Sequence, residues 1–285
     1  MAACVDKWNP AYSCHRISRS IYRFMPDCTV TAPAGAPVNG NGGDEVWEEL
    51  YGEAQADAQD EPLLGMFYSE LVLSHPSLEA ALAAHLSAKL CIPGALPQDA
   101  LRDILAGALA AHPEASQHTR ADLLAARDRD PACAKMVHCF LYYKGFLALQ
   151  AHRAAHALWS EGRRPPALLL QSRASEVFGV DIHPGARIGG GILLDHATGV
   201  VIGETAVIGD DVSILHGVTL GGTGKACGDR HPKIGAGAVV LRDVACGATA
   251  VGNPAKPIGK KAAPSLRPEE QPGVTMEQRW SDYVI

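Results

Sequence analysis

The sequence lacks any apolar run near the ~18 residues of a membrane span, which argues against a transmembrane helix. It also lacks a C-x-x-C pair. Its eight cysteines, at positions 4, 14, 28, 91, 133, 139, 227 and 246, are scattered, and no signal-peptide architecture precedes them. That argues against a zinc ribbon or a disulfide framework and favours a reducing compartment, with the cytoplasm as the expected location. A positive excess is missing too. The net charge is −6, which gives no reason to expect a nucleic-acid partner. The charge is unevenly spread, however. From Lys225 to Arg267 eight Lys and Arg residues stand against Asp229 and Asp243, a local +6. Such a patch is either a landing zone for a phosphorylated ligand or a set of solvated loop cations.

What the sequence does have is a period of six. Large aliphatic residues recur at Ile182, Ile188 and Leu194, then at Ile202, Ile208, Ile214 and Leu220. Four places after most of them comes a second apolar or small residue: Ala186, Ile192, Ala206, Val212 and Val218. Neither the 3.6 period of a helix nor the 2.0 period of a strand produces this spacing. It is the hexapeptide signature of a left-handed parallel β-helix, in which each hexad forms one flat side of a triangular coil. Residues one coil apart then stack along the axis.

Upstream the composition changes. Residues 1–43 carry no periodicity and end in a run rich in Ala, Pro, Gly and Asn, so they read as a disordered segment. Lys7, Arg16, Arg19 and Arg23 against two acids leave a plastid or mitochondrial transit peptide open as the alternative. Residues 44–179 are rich in Ala, Leu, Glu and Arg with Gly and Pro punctuation, which predicts an all-α domain. Helices are expected from Ser77 to Leu90, after Pro97, from Pro113, as one long segment over roughly Ala134–Ser160, and near Pro166–Phe178. The architecture predicted is α+β: helices over 44–179, a β-helix over 180–259 and a flexible tail over 260–285.

Within the long segment His152 and His156 stand four apart, a spacing that could serve a metal, but no third ligand accompanies them and ordinary packing histidines account for both. Asp130 precedes Pro131 and so belongs at a helix boundary, where an N-cap role needs no substrate. In the hexads, eight residues rather than six separate Leu194 from Ile202. The two extra residues bulge a corner at D-H-A-T-G, from which His196 can project. His216 occupies the same place one coil later, so the two imidazoles should stack ~4.8 Å apart, as a site or as a buried ladder. After Leu220 a Gly-rich loop permits close backbone approach to a ligand, and Arg230–His231 offers a fork and an imidazole for a carboxylate.

At these residues the chain resembles the serine O-acetyltransferases of the hexapeptide-repeat superfamily, with a plant-type ending. The motifs that carry the resemblance are R-D-P-A at 129–132, K-G-F-L-A-L-Q-A-H-R at 144–153, V-D-I-H-P-G-A at 180–186, L-D-H-A-T-G at 194–199, V-T-L-G-G-T-G-K at 218–225 and G-D-R-H-P-K at 228–233. The resemblance implies acetyl transfer from acetyl-CoA, as co-substrate with no permanently bound cofactor, to the hydroxyl of L-serine. It implies His196 as the base and Asp181 as the carboxylate that orients it. Asp130 and Asp195 match the holders of the substrate ammonium, and Arg230 and His231 the binders of its carboxylate. Gly222, Thr223, Lys225 and Ala236 match the positions along which the CoA arm lies. It further implies a homo-oligomer of two β-helix trimers. The ending, Tyr283-Val284-Ile285, matches the segment that inserts a free carboxylate into O-acetylserine (thiol)lyase.

The chain departs from the family in one respect. H-P-K-I-G and I-G-A-G-A-V-V are fused at Lys233–Ile234, so about four hexads are missing and the β-helix is shortened. Because four hexads are not a whole number of coils, Ile234 should enter on a different side unless the Gly-rich loop re-routes. Two further functions are carried alongside acetyl transfer: a weak or inactive homologue that regulates the lyase through its tail, and a metal-dependent lyase with His196, His216 and His231 on zinc.

Overall fold

A computed structural model of the chain describes residues 44–221, 233–241, 244 and 248–258. Eight α-helices come first among them: α1 Glu45–Asp60, α2 Gly65–Tyr68, α3 Leu78–Leu90, α4 Gln98–Ala111, α5 Pro113–Arg129, α6 Met136–Tyr142, α7 Lys144–Ser160 and α8 Arg164–Phe178. Their boundaries follow local chemistry. Asp44 caps α1 by accepting from the Trp47 N–H, and Ser77 caps α3 by accepting from Ala80, both at 3.3 Å. Pro113 opens α5, where its missing N–H removes no bond. Gly179 ends α8 in the left-handed region (φ 67°), which glycine enters without penalty.

The segment predicted as one helix over Ala134–Ser160 is two. Tyr143 is extended (φ −82°, ψ 103°) and its N–H closes α6 on the Cys139 carbonyl. The break re-aims α7, whose middle, from Gly145 to Ala155, is buried throughout. A helix apolar on every side belongs inside the molecule. It packs against α8 and α4 on one side and against the strands on the other.

Eleven strands follow among the described residues: β1 Val180–Ile182, β2 Arg187–Ile188, β3 Leu193–Leu194, β4 Val200–Ile202, β5 Val207–Ile208, β6 Ser213–Ile214, β7 Thr219–Leu220, β8 Lys233–Ile234, β9 Val239–Val240, β10 Thr249–Val251 and β11 Lys256–Ile258. The hexad aliphatics from Ile182 to Leu220 each form the last residue of a strand, so the six-residue phase is the strand phase. The strands sort into three sheets, ordered β1-β4-β7-β9, β2-β5 and β3-β6-β8-β10-β11. All pairings are parallel except β10 with β11. From β1 to β7 the chain visits the three sheets in turn and lands one layer on; β8 to β11 join only the first and third sheets.

Registers carry the sequence arithmetic. Ile182 pairs with Ile202, twenty residues on, across the stutter, and Ile202 pairs with Leu220, eighteen on. Ile234 does not enter on a new side: it pairs with Ile214. The segment between β7 and β8 therefore spans from the first sheet to the third, and the aliphatic ladder Leu194, Ile214, Ile234 continues. No helix among the described residues is long and apolar enough to cross a membrane.

Candidate functional site

The turn joining β3 to β4 is the most constrained backbone outside glycine. His196 and Ala197 both lie at positive φ, 56° and 55°. Two tight bonds fix them, from the Ala197 N–H to the Asp195 carbonyl (2.6 Å) and from the Thr198 N–H to the His196 carbonyl (2.7 Å). Non-glycine residues in this region cost energy and persist where the surroundings over-determine them. Here Ala197 is wholly buried, whereas the His196 side chain is 75 % exposed. The two-residue stutter thus pins Ala197 and presents His196, the residue before it, to solvent.

Helix α7 holds that turn from behind. A Cβ on Gly145 would sit 2.2 Å from the Leu194 carbonyl and 3.0 Å from Ala197 Cβ, so only glycine allows the approach. Lys144, one residue earlier, donates from Nζ to the Thr198 hydroxyl. The break at Tyr143 also brings in Asp130. Burial first, and then Asp130, raise the Tyr143 phenol above the usual tyrosine range. Asp130 itself is not the N-cap it could have been. It follows α5, and its Oδ1 accepts from the Ala132 N–H (2.8 Å), turning the chain after the helix. Arg129 beside it, 6 % exposed, donates to the Gly191 carbonyl and to Asp211, which ties the end of α5 to the strands.

Asp195 lies next to His196, its Oδ1 3.8 Å from Nε2 of that ring. Asp181 does not: its Oδ1 accepts from Gln171 Nε2 of α8 (2.7 Å), and no bond joins it to His196. The expected orienting contact is therefore not formed in this arrangement. His216 stands beside His196 as the register requires, with ring centroids 6.1 Å apart and edge-on rather than stacked at the strand spacing, because the left-handed turn swings His196 out. Both rings are exposed, which removes the buried ladder. Ala236 is exposed in the turn between β8 and β9. Gly222, Thr223, Lys225, Arg230, His231, Tyr283, Val284 and Ile285 lie outside the described residues. Among the described residues no three His, Cys, Asp or Glu side chains gather as metal ligands, and His156 instead bonds the Pro184 carbonyl through Nδ1 (2.8 Å).

Comparison with known proteins decides the family. A family model described as the N-terminal region of serine acetyltransferase matches residues 46–151. A rice (Oryza sativa subsp. japonica) protein named probable serine acetyltransferase 4 is 72% identical over 316 residues, covering 99% of this chain and 100% of its own length. The chain belongs to the serine acetyltransferase family. Among solved structures, soybean serine acetyltransferase complexed with serine is 51% identical with a TM-score of 0.68, over 75% of this chain and 98% of that one. A serine acetyltransferase in complex with CoA is 42% identical with a TM-score of 0.68, over 75% and 99% of the two chains.

In this serine acetyltransferase the sequence reading missed the supports of the site rather than its members. Gln171 and Tyr143 touch the named residues Asp181 and Asp130, and nothing local marks them. Beneath them Asp122 and Arg153, both essentially buried, pair with Nη2 to Oδ2 at 2.7 Å. Asp122 also accepts from Gln150 and from the Ile192 N–H, and Arg153 also donates to the Gly189 carbonyl.

Proposed function

We propose that this chain transfers the acetyl group of acetyl-CoA to the hydroxyl of L-serine, with His196 as general base. The observation that carries the proposal is the left-handed turn. It presents the imidazole to solvent beside the Asp195 carboxylate while α7 holds the backbone from behind. A serine hydroxyl is a weak nucleophile at neutral pH. His196 takes its proton as the oxygen attacks the thioester carbonyl; the tetrahedral adduct then expels the CoA thiolate, which recovers that proton from the imidazolium. Asp130 and Asp195 are assigned to the substrate ammonium, and Arg230 and His231 to its carboxylate. Gly222, Thr223, Lys225 and Ala236 are assigned to the CoA arm. For Asp181 to orient the imidazole, its carboxylate must gain a bond to His196 beside the one that Oδ1 accepts from Gln171.

We read the strand region as a left-handed parallel β-helix, a reading supported by the hexad phase and by the cyclic return to three sheets. We read it as shortened by about four hexads. In support, the alignment with the rice relative spans 316 positions and so exceeds the 285 residues of this chain by 31. The division at 43/44, 179/180 and 259/260 follows the same reading. Assembly as paired trimers fits a base that is open to solvent on the isolated chain. Ile285 is assigned to the lyase, and amidating or deleting it should abolish lyase binding, measured by calorimetry. The cytoplasm is the assigned compartment, with organellar import through residues 1–43 as the alternative that imaging of a full-length fusion separates.

Thiol release from acetyl-CoA with L-serine tests the central reading. His196→Ala should lose about 10²–10⁴-fold in rate with the acetyl-CoA KM nearly unchanged. Wild-type turnover in that variant would refute it.

A further inference from the structure

A cavity of about 310 Å³ lies between α5, α7 and the strands β2 and β5, and it shares no residue with the site around His196. Its floor is aliphatic, from Ala157, Ile188 and Ile208. Its polar groups are mostly satisfied by one another. Arg153 is engaged by Asp122 and the Gly189 carbonyl, and His118 Nδ1 accepts from Arg153 (3.2 Å). Two are not. Arg187, on β2, is exposed at the rim, and its side chain makes no hydrogen bond or ion pair among the described residues. His152, 4 % exposed, has an Nδ1 with no partner at all. A buried, unpaired imidazole nitrogen is costly, and nearly all such atoms are matched by some group.

We propose that this cavity is a binding site for a small carboxylic acid with a short aliphatic stem. The carboxylate takes the free Arg187 guanidinium, and the stem lies on Ile188 and Ile208. The second carboxylate oxygen takes the His152 hydrogen bond that the neighbours of that ring leave unmade. Burial holds the His152 ring neutral, so one of its nitrogens is a donor. The cavity volume lies at the lower end of small-molecule sites, and an apolar floor with a few convergent polar groups is their usual make-up. An inorganic oxyanion would satisfy Arg187 but leave the aliphatic floor wet, so the stem belongs to the proposal.

Calorimetric titration of the full chain with isovalerate, at saturating L-serine to fill the serine site, tests it. Saturable binding at one site per chain is expected, with inorganic phosphate failing to compete. Arg187→Gln, at an exposed position, should weaken isovalerate binding at least tenfold and leave thiol release in its absence unchanged. Absence of saturable binding, equal affinity in Arg187→Gln, or phosphate binding as tightly as isovalerate would each overturn the site. Acetyl transfer, read separately by thiol release, stands or falls on its own.

Discussion

Gly145→Ala isolates what α7 does for the His196 turn. The added methyl would meet the Leu194 carbonyl oxygen at 2.2 Å and Ala197 Cβ at 3.0 Å. Ordinary contact lies near 3.5 Å, so the first turn of α7 and the His196 turn have to separate by roughly 1 Å. Two effects compete in stability. Alanine in a helix is worth about 0.5–1 kcal/mol over glycine, whereas forcing a group into filled space costs about 1–3 kcal/mol. The overlap is with backbone, which cannot rotate aside, so the second effect wins and the net loss is about 1–2 kcal/mol. Activity should suffer more, because ~1 Å of misplacement in a catalytic group can cost on the order of 10²-fold. Gly52→Ala in α1 and Gly107→Ala in α4 are matched controls, since a Cβ at either meets nothing within 4 Å. Both should gain slightly in thermal stability with unchanged thiol release. Gly145→Ala should drop in both, by a few degrees in Tm and about a hundredfold in kcat. If it instead behaves like the controls, α7 does not position the His196 turn.

The buried pair of Asp122 and Arg153 should be strongly coupled. Asp122→Ala leaves a guanidinium unpaired in the interior and should cost about 3–5 kcal/mol in urea unfolding, and Arg153→Met should cost a similar amount. The double variant should cost clearly less than the two together, and strict additivity would mean that the pair does not act as a unit. His85 sets a pH dependence. It is wholly buried against Phe140 with both ring nitrogens unpartnered, and burial, followed by Lys89, lowers its pKa from 6.5 to about 4. The folded ring stays neutral while the unfolded one takes a proton, so stability is full above pH 6.5 and falls as the pH drops toward 4. The shift corresponds to roughly 3 kcal/mol. His85→Leu should flatten that stretch of the stability profile, and an unchanged slope would assign the acid sensitivity elsewhere.

What the sequence disclosed and what it hid divide along one physical line. The hexad aliphatics, the Ser77 cap, Pro113 and the stutter at Leu194–Ile202 act through their near neighbours, so spacing alone placed them. Leu194 and Ile214 pair where the arithmetic put them. Ile234 joins the same ladder by pairing with Ile214. The supports of the site have no such local cause. Gly145 is needed because of a carbonyl about fifty residues downstream, and Tyr143 breaks its helix so that this meeting can happen. Asp122 finds Arg153 across 31 residues and two helices. Asp181 shows the limit most sharply. Its place on β1 follows from the period of six, yet its hydrogen bond goes to Gln171, on a helix whose facing side no hexad count can supply. A period fixes where a backbone runs and which way alternate side chains point. Which partner a carboxylate then takes depends on the element packed opposite, and for Asp181 that element is α8 with its Gln171.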